Sequence, residues 1–387
     1  GVRNIAIGEA AMSGVTTEQV DNNIAIGYDA MEGSSSTTGD NNIAMGQHAM
    51  DAITTGACNV AIGGMNTMGA ITTGSRNIAI GDTTLAVSTT GSHNIALGNQ
   101  TMGSTDTTGN HNIALGYAAM DALLAGADNV GIGRLAASGL TSGACNVAIG
   151  LSALAQGTTG CMNIAIGLEA MGSAAVACGG SEQAEHNVAI GCTALGGLTS
   201  GSYNIGIGRN AGEIVTTGTQ NTFIGVNSGG GGTVTGNNNI GIGQASADAL
   251  TSGVCNIAIG LNALGASTDG AGNIAIGRNA LAVSDGDGDE NIAIGAIAMG
   301  AGDVSGAQNI AIGSTAMDAL TSGACNIGIG TDALGSQTDG CSNIAIGNAA
   351  MKASVDDADF NIAIGYCTLG GADVSGGNNI MMGKDTG

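Results

Sequence analysis

The chain has 387 residues, with 72 Gly, no Pro, no Trp, four Tyr and two Phe, and its 7 Lys+Arg against 30 Asp+Glu leave a formal net charge of −23. Collagen is excluded, because it needs Gly at every third residue and abundant Pro. A disordered acidic chain is excluded by a 43% hydrophobic content, and nucleic-acid binding by the lack of a basic surface and of aromatic platforms. No apolar run reaches the roughly 18 residues of a transmembrane helix, and the start, Gly1-Val2-Arg3, has no signal-peptide character.

Along the chain, Asn-Ile-Ala-Ile-Gly recurs from Asn4 to Asn379 in 22 copies. Of the 21 intervals, eleven are 17 residues, seven are 18, and the others are 19, 19 and 24. The longest comes from an insertion around Ala174–Glu185. Counting from the Asn, position +1 is Ile or Val except at Thr222, and +3 is Ile, Leu or Met. Position +4 is Gly in all 22 copies, +8 is mostly Leu or Met, and −3 is Gly in 19 of 22.

The alternation at +1, +2 and +3 has a strand period. Two Gly per repeat oppose a helix at about 1 kcal/mol each, and 17 residues are too few for a helical-hairpin repeat. Each unit is therefore expected to form one coil of a parallel β-solenoid, all-β, with coils stacked about 4.8 Å apart into a rod on the order of 100 Å long. The Ile columns at +1 and +3 are expected to fill the coil interior. Position +2, small in nearly every copy, is then expected to face outward against another copy of the chain, giving a parallel homo-oligomer. In-register Asn residues, among them Asn23, Asn42, Asn59, Asn146, Asn256 and Asn326, are expected to form an amide ladder. The +4 glycines, such as Gly27, Gly63, Gly150, Gly260 and Gly330, mark corners with φ > 0 or close backbone approach.

Residues 248–317 and 318–387 align without gaps, for example Asp248–Gly253 with Asp318–Gly323 and Cys255 with Cys325. Seventy residues are four coils, so the chain is expected to be one continuous array, 1–387, grown by block duplication. It begins and stops within a coil, which reads as a segment of a longer fibre; the alternative is ends that stack on neighbouring molecules.

The unit Gly-x-x-Asn-Ile-Ala-Ile-Gly-x-x-Ala-Leu/Met-x-x-x-Thr-Thr, at Gly56–Thr73 and Gly143–Thr159, resembles the repeats of phage tail-fibre proteins and the head repeats of trimeric autotransporter adhesins. That resemblance implies parallel homotrimers displayed on a virion or cell surface, outside the cell, in contact with a host receptor or glycan. The adhesin heads have a shorter coil, so the added Thr-Thr-Gly residues depart from that pattern.

Other residues carry candidate chemistry. Cys145 and Cys161, and likewise Cys325 and Cys341, lie 16 residues apart in adjacent coils and are candidates for disulfides; the alternative is small apolar turn residues. Cys178 and Cys192 are a third candidate pair, at the insertion. Asp285, Asp287 and Asp289, spaced by Gly, have the oxygen-rich spacing that suits Ca²⁺, against a solvated acidic loop as the alternative. His93 and His111 should stack at −1, either as a fortuitous metal site or as part of a variable surface column. Thr at −5 recurs in long files, read here as turn stabilisation rather than an ice-binding face. No catalytic spacing stands out, so a structural or adhesive fibre is expected rather than an enzyme, with a receptor-free filament subunit as the alternative. Receptor contact is expected at departures from consensus: the insertion, the Gly229–Gly232 run with Phe223, or the acidic loop near Asp287.

Overall fold

The computed structural model describes the chain except residues 16–19, 34–36, 174–183, 284–287, 354–357 and 372–375. It is an all-β parallel β-solenoid with 22 strands, one per repeat. The chain forms two compact units, Gly1–Ser200 and Gly201–Gly387. The first holds β1 (Ile5–Ile7) to β11 (Val188–Ile190) and the second β12 (Ile205–Ile207) to β22 (Ile380–Met382). All strands have three residues except β3 (Ile43–Gln47) and β4 (Val60–Met65), between which the register shifts at Met45/Gln47.

Within each unit consecutive strands pair parallel and in register. Val147, Ala148 and Ile149 lie opposite Ile164, Ala165 and Ile166, and Ile257, Ala258 and Ile259 opposite Ile274, Ala275 and Ile276. Every repeat position thus becomes a column along its unit. Most backbone bonds outside the strands also run from coil to coil, as in Val60 N–H to Asn77 C=O at 2.8 Å and Met68 N–H to Thr84 C=O at 2.9 Å.

The interior overturns one expectation. The +2 alanines, among them Ala25, Ala61, Ala148, Ala258 and Ala345, are fully buried. The flanking aliphatics point outward, with Ile78 36%, Leu115 43% and Ile259 36% exposed. The +1 and +3 columns therefore do not fill the coil, and +2 does not face a partner. Available volume explains the inversion. The core is filled from the turns, by Met and Leu at +8 (Met50, Leu85, Met120, Leu154), by Met68 at +9 in a coil with one added residue, and by Ile and Leu such as Ile53, Ile71, Leu123 and Leu140. These reach the strand so closely that a Cβ on Gly131, at +2, would lie 2.9 Å from the Met120 methyl carbon. A small residue is therefore needed wherever a +8 side chain fills the coil, because interiors are close-packed.

The two glycine columns have different causes. At +4, every Gly except Gly63 has φ between 128° and 141°, a region essentially reserved for Gly. An added Cβ would also meet the next coil's backbone: 2.4 Å from Gly46 O for Gly27, 2.4 Å from Gly167 O for Gly150, 2.5 Å from Gly277 O for Gly260 and 2.4 Å from Gly347 O for Gly330. Gly63 is required by approach alone, its Cβ falling 2.4 Å from Gly81 O. The same holds for most −3 glycines: a Cβ on Gly56 would lie 2.3 Å from Gly74 O.

Ordinary residues also take left-handed backbone, at −1, +6 and +8, or at +7 and +9 in the coil of Asn59 with its added residue, as in Cys58 (φ 60°), Asn66 (57°) and Met68 (52°). Such residues cost about 1–3 kcal/mol each and persist only where their surroundings fix them. Here the N–H of each is held by an adjacent coil, Cys58 by Asp40 C=O at 2.9 Å and Asn66 by Gln47 C=O at 3.2 Å.

Two substitutions in one coil test this account. Asn146→Ala strips the acceptor from Asn163 N–H and Nδ2 and the donor from Gly160 C=O, and buried groups left unpaired cost about 1–3 kcal/mol each. Gly150→Ala adds the strained φ and the backbone clash. Both should lower the unfolding midpoint by several degrees in circular dichroism, whereas Leu151→Ala, on the surface of the same coil, should leave it within about a degree. Wild-type melting of Gly150→Ala would refute the assignment of the +4 column.

Candidate functional surface

Three side-chain ladders hold the coils together. The first is the Asn column. Asn146 donates from its N–H to Asn129 Oδ1 at 2.9 Å, and from Nδ2 to the same oxygen at 3.0 Å and to Gly160 C=O at 2.7 Å. Its own Oδ1 accepts from the N–H and Nδ2 of Asn163. Asn59, Asn256 and Asn326 repeat all three donations. Asn23 and Asn42 occupy the same column. These amides are buried, and each is satisfied by its two neighbouring coils.

The second ladder, at −2, was not anticipated from the sequence. A short polar side chain there accepts the N–H of the −2 residue one coil earlier. Asp21 N–H bonds Asp40 Oδ1 at 2.7 Å, Ala57 N–H bonds Ser75 Oγ at 3.1 Å, Ser92 N–H bonds Asn110 Oδ1 at 2.8 Å and Thr219 N–H bonds Asn237 Oδ1 at 2.7 Å. The recurrence of Asp, Asn and Ser two residues before the Asn carried this signal. The third ladder is the −5 Thr column. Thr54, Thr72, Thr141, Thr251 and Thr321 each donate Oγ1–H to a main-chain carbonyl of the next coil. Their hydroxyl protons are committed to the coil stack, in line with a turn-stabilising role.

The −2 ladder accounts for several residues singled out in the sequence. Asp289 is exposed, and its Oδ1 accepts Ala271 N–H at 2.7 Å. Asp285 and Asp287 lie outside the described residues, and among those described no cluster of three or more His, Cys, Asp or Glu is placed to hold a metal ion. Cys161 uses its thiol as the −2 acceptor, Ala144 N–H lying 3.4 Å from Sγ. Cys145 stands in the neighbouring −1 column, exposed, and no disulfide joins the two. Cys325 and Cys341 are unbridged as well; Cys325 Sγ lies 3.6 Å from Gln308 Oε1 and Cys341 Sγ lies 3.5 Å from Asp339 C=O. The two expected disulfides are therefore not formed. The coils stack like position on like, −2 on −2 as in Ala144 and Cys161, so a 16-residue offset does not stack the two sulfurs. Cys192 is free too, and Cys178 lies outside the described residues.

His93 and His111 do stack, ring centroids 4.8 Å apart and planes 21° from parallel. They continue a surface file with Arg76, 3.5 Å from His93 Nε2, and Asp128, 3.9 Å from His111 Nδ1. A guanidinium beside the stack makes the variable surface column the better description.

Phe223 is corrected as a receptor contact, because it is fully buried. It stands at +2, where Ala or Gly is usual, and its own coil has Gly229 at +8 in place of Met or Leu. A Cβ on Gly229 would lie 2.6 Å from the Phe223 ring, and one on Gly241, at +2 of the next coil, 2.9 Å from it. The ring occupies the volume that the missing +8 side chain vacates. Cβ atoms on Gly230, Gly231 and Gly232 would lie 2.8, 2.9 and 2.5 Å from neighbouring atoms, so this run too is tightly packed. The insertion falls largely outside the described residues, which include Ala184 and Glu185.

With these columns assigned, one surface stands out. The +1 and +3 positions form two outward columns on the strands of each unit, aliphatic or Met throughout except Thr222. Bordering them, −1 and +5 are variable and largely polar, as in Arg76, His93, Asp128 and Gln308, or Asp82, Asn99, Arg134 and Arg278. No described helix is long and apolar enough to cross a membrane. Among known proteins, no family model matches the chain and no curated protein matches it significantly.

Two measurements follow. Phe223→Ala should destabilise by about 3–5 kcal/mol through its cavity, whereas Phe360→Ala, 60% exposed at −1, should stay within about 0.5 kcal/mol; equal effects in denaturant unfolding would contradict the volume exchange. The second concerns Asp248 and Asp318, equivalent residues of the two blocks. Burial pushes both carboxyls above their ordinary value, against backbone N–H groups that favour the ionised form. The folded state then holds protons that the unfolded chain releases. The contribution is complete below the unfolded pKa, near 3.8, and is lost as pH rises through the raised folded value. Asp248→Asn with Asp318→Asn should flatten the fall in melting temperature as pH rises above about 4 relative to wild type; parallel profiles would remove these residues from the pH response.

Proposed function

We propose that the protein is a structural, non-enzymatic component of an extracellular fibre, on a virion or cell surface, that assembles with further copies of itself. The observation that carries this reading is the commitment of each repeat to coil stacking. The Asn amides, the −2 acceptors, the −5 hydroxyls and both glycine columns all serve the junction between coils. A chain whose recurring polar groups hold coil to coil is suited to bearing load and resisting proteolysis. A fibre would let it present many identical sites, so that weak contacts with a cell-surface receptor or glycan add up by multivalency. The exposed and variable −1 and +5 columns are where such contacts would vary without disturbing the core. A filament subunit without a receptor is the second reading, favoured by the uniformity of the coils.

Light scattering of the native protein with negative-stain imaging tests the proposal. The expected result is an assembly of a few 36.9 kDa chains, or filaments of uniform width, persisting under protease concentrations that digest ordinary globular domains. A monodisperse single chain, readily digested, would sink it.

A further inference from the structure

The outward aliphatic columns have no role within the chain. In the first unit all 22 of the +1 and +3 residues are Ile, Val, Leu or Met, and in the second only Thr222 departs. Most are half-buried along the strands, and the more open ones include Ile78 at 36% and Leu115 at 43%. A solvated strand face carries Thr, Lys, Glu or Ser, and here the one polar residue is a Thr. The chain has 30 Asp and Glu in all, yet none stands on this face.

The coil length varies from 17 to 24 residues, and one of the added residues lies at the end of β4, in Gly63–Met65. The +1 to +3 residues stay paired in register even there, Val60, Ala61 and Ile62 with Ile78, Ala79 and Ile80, so the strand face keeps its alignment within each unit.

We propose that this face is the interface with a second copy of the same chain, the two aliphatic strips packing sheet to sheet about 10 Å apart in a twofold pair. The inference rests on the self-assembling reading above and identifies its contact surface. Area supports it. Three residues of about 3.3 Å on strands about 4.8 Å apart give eleven strands a footprint on the order of 500 Å². Two facing strips then bury on the order of 1,000 Å² per unit, the threshold for a specific interface. An apolar strip of about 500 Å² is at the upper end of what a typical monomer exposes, and patches of that size are often functional.

Periodicity selects the occupant. Two aliphatic columns repeating at the strand spacing interdigitate along their whole length only with a surface of the same repeat, and this chain carries one. Charge agrees: with a net charge of −23, copies repel unless the contact surface is uncharged and the acidic groups remain at its margin, where solvent and salt screen them. The variable −1 and +5 columns form that margin, the arrangement of apolar centre and polar rim found in protein interfaces. The outward residues of a three-residue strand lie on one face, and one facing strip covers them, so the pairing is twofold.

The test compares the native mass of wild type, of a strip variant (Ile95→Lys, Leu97→Lys, Ile274→Lys, Ile276→Lys) and of a rim variant with as many lysines (His93→Lys, Asn99→Lys, Gln308→Lys, Ser314→Lys). The expected result is two chains for wild type and for the rim variant, and one chain for the strip variant, with its circular dichroism retained. If the lysines abolish the strand signal, the same four positions changed to Thr, a strand-compatible residue, should give at least a tenfold weaker dimer. A strip variant that keeps the wild-type mass overturns this interface while leaving self-assembly intact. A wild-type mass of three chains overturns the twofold pairing. A wild-type mass of one chain overturns the self-assembly reading and this interface together.

Discussion

Backbone hydrogen bonding between stacked coils, at a spacing of about 4.8 Å, is the constraint on which the other features depend. Coils at that distance with parallel, in-register strands force each residue to lie directly above its counterpart. Any side chain at a corner then meets the next coil's backbone, which is why Gly56 and Gly150 have no room for a Cβ. Any buried polar side chain must find its partner in the coil above or below, which Asn does with one acceptor and two donors. The residues in left-handed backbone, such as Cys58 and Met68, are tolerable for the same reason, since their N–H groups are fixed by neighbouring coils.

Much of this architecture was legible in the sequence. The period gave the coil, the alternation around each Asn gave the strand, and the invariance of Asn and Gly marked the ladder and the corners. The inside of the coil was misassigned, and the reason is instructive. Alternation says that +1 and +3 share one face and +2 the other; it does not say which face is inside. Hydrophobicity pointed to Ile. Volume decided for Ala, because the +8 Met and Leu and the residues near Ile53 and Ile71 already occupy the interior. Phe223 shows the same rule in reverse, a large +2 residue admitted where +8 is Gly229.

Local chemistry was harder to read than the fold. The 16-residue separation of Cys145 and Cys161 looked like a stacking offset, yet the stack pairs like position with like, so Cys161 lies over Ala144 and Met162 over Cys145. Asp289 looked like one of three oxygen donors for a cation, and instead serves a backbone N–H. In both cases the −2 position had a structural use that spacing alone could not disclose, because the acceptor and its donor belong to different coils and are 17 or 18 residues apart.

The inversion of the strand faces also changes what a small residue implies. With +2 outside, a column of Ala and Gly would have argued for close approach of a partner's backbone. With +2 inside, the same column reports only a narrow coil, and the argument for a partner passes to the aliphatic columns beside it. That argument is the stronger of the two. Small residues are compelled by the packing of Met120 and its equivalents, so their uniformity needs no partner. Nothing within the coil compels Ile at an outward position, where solvent would accept Thr as readily, as it does at Thr222. An apolar column that the fold does not require is accounted for by a surface outside the chain.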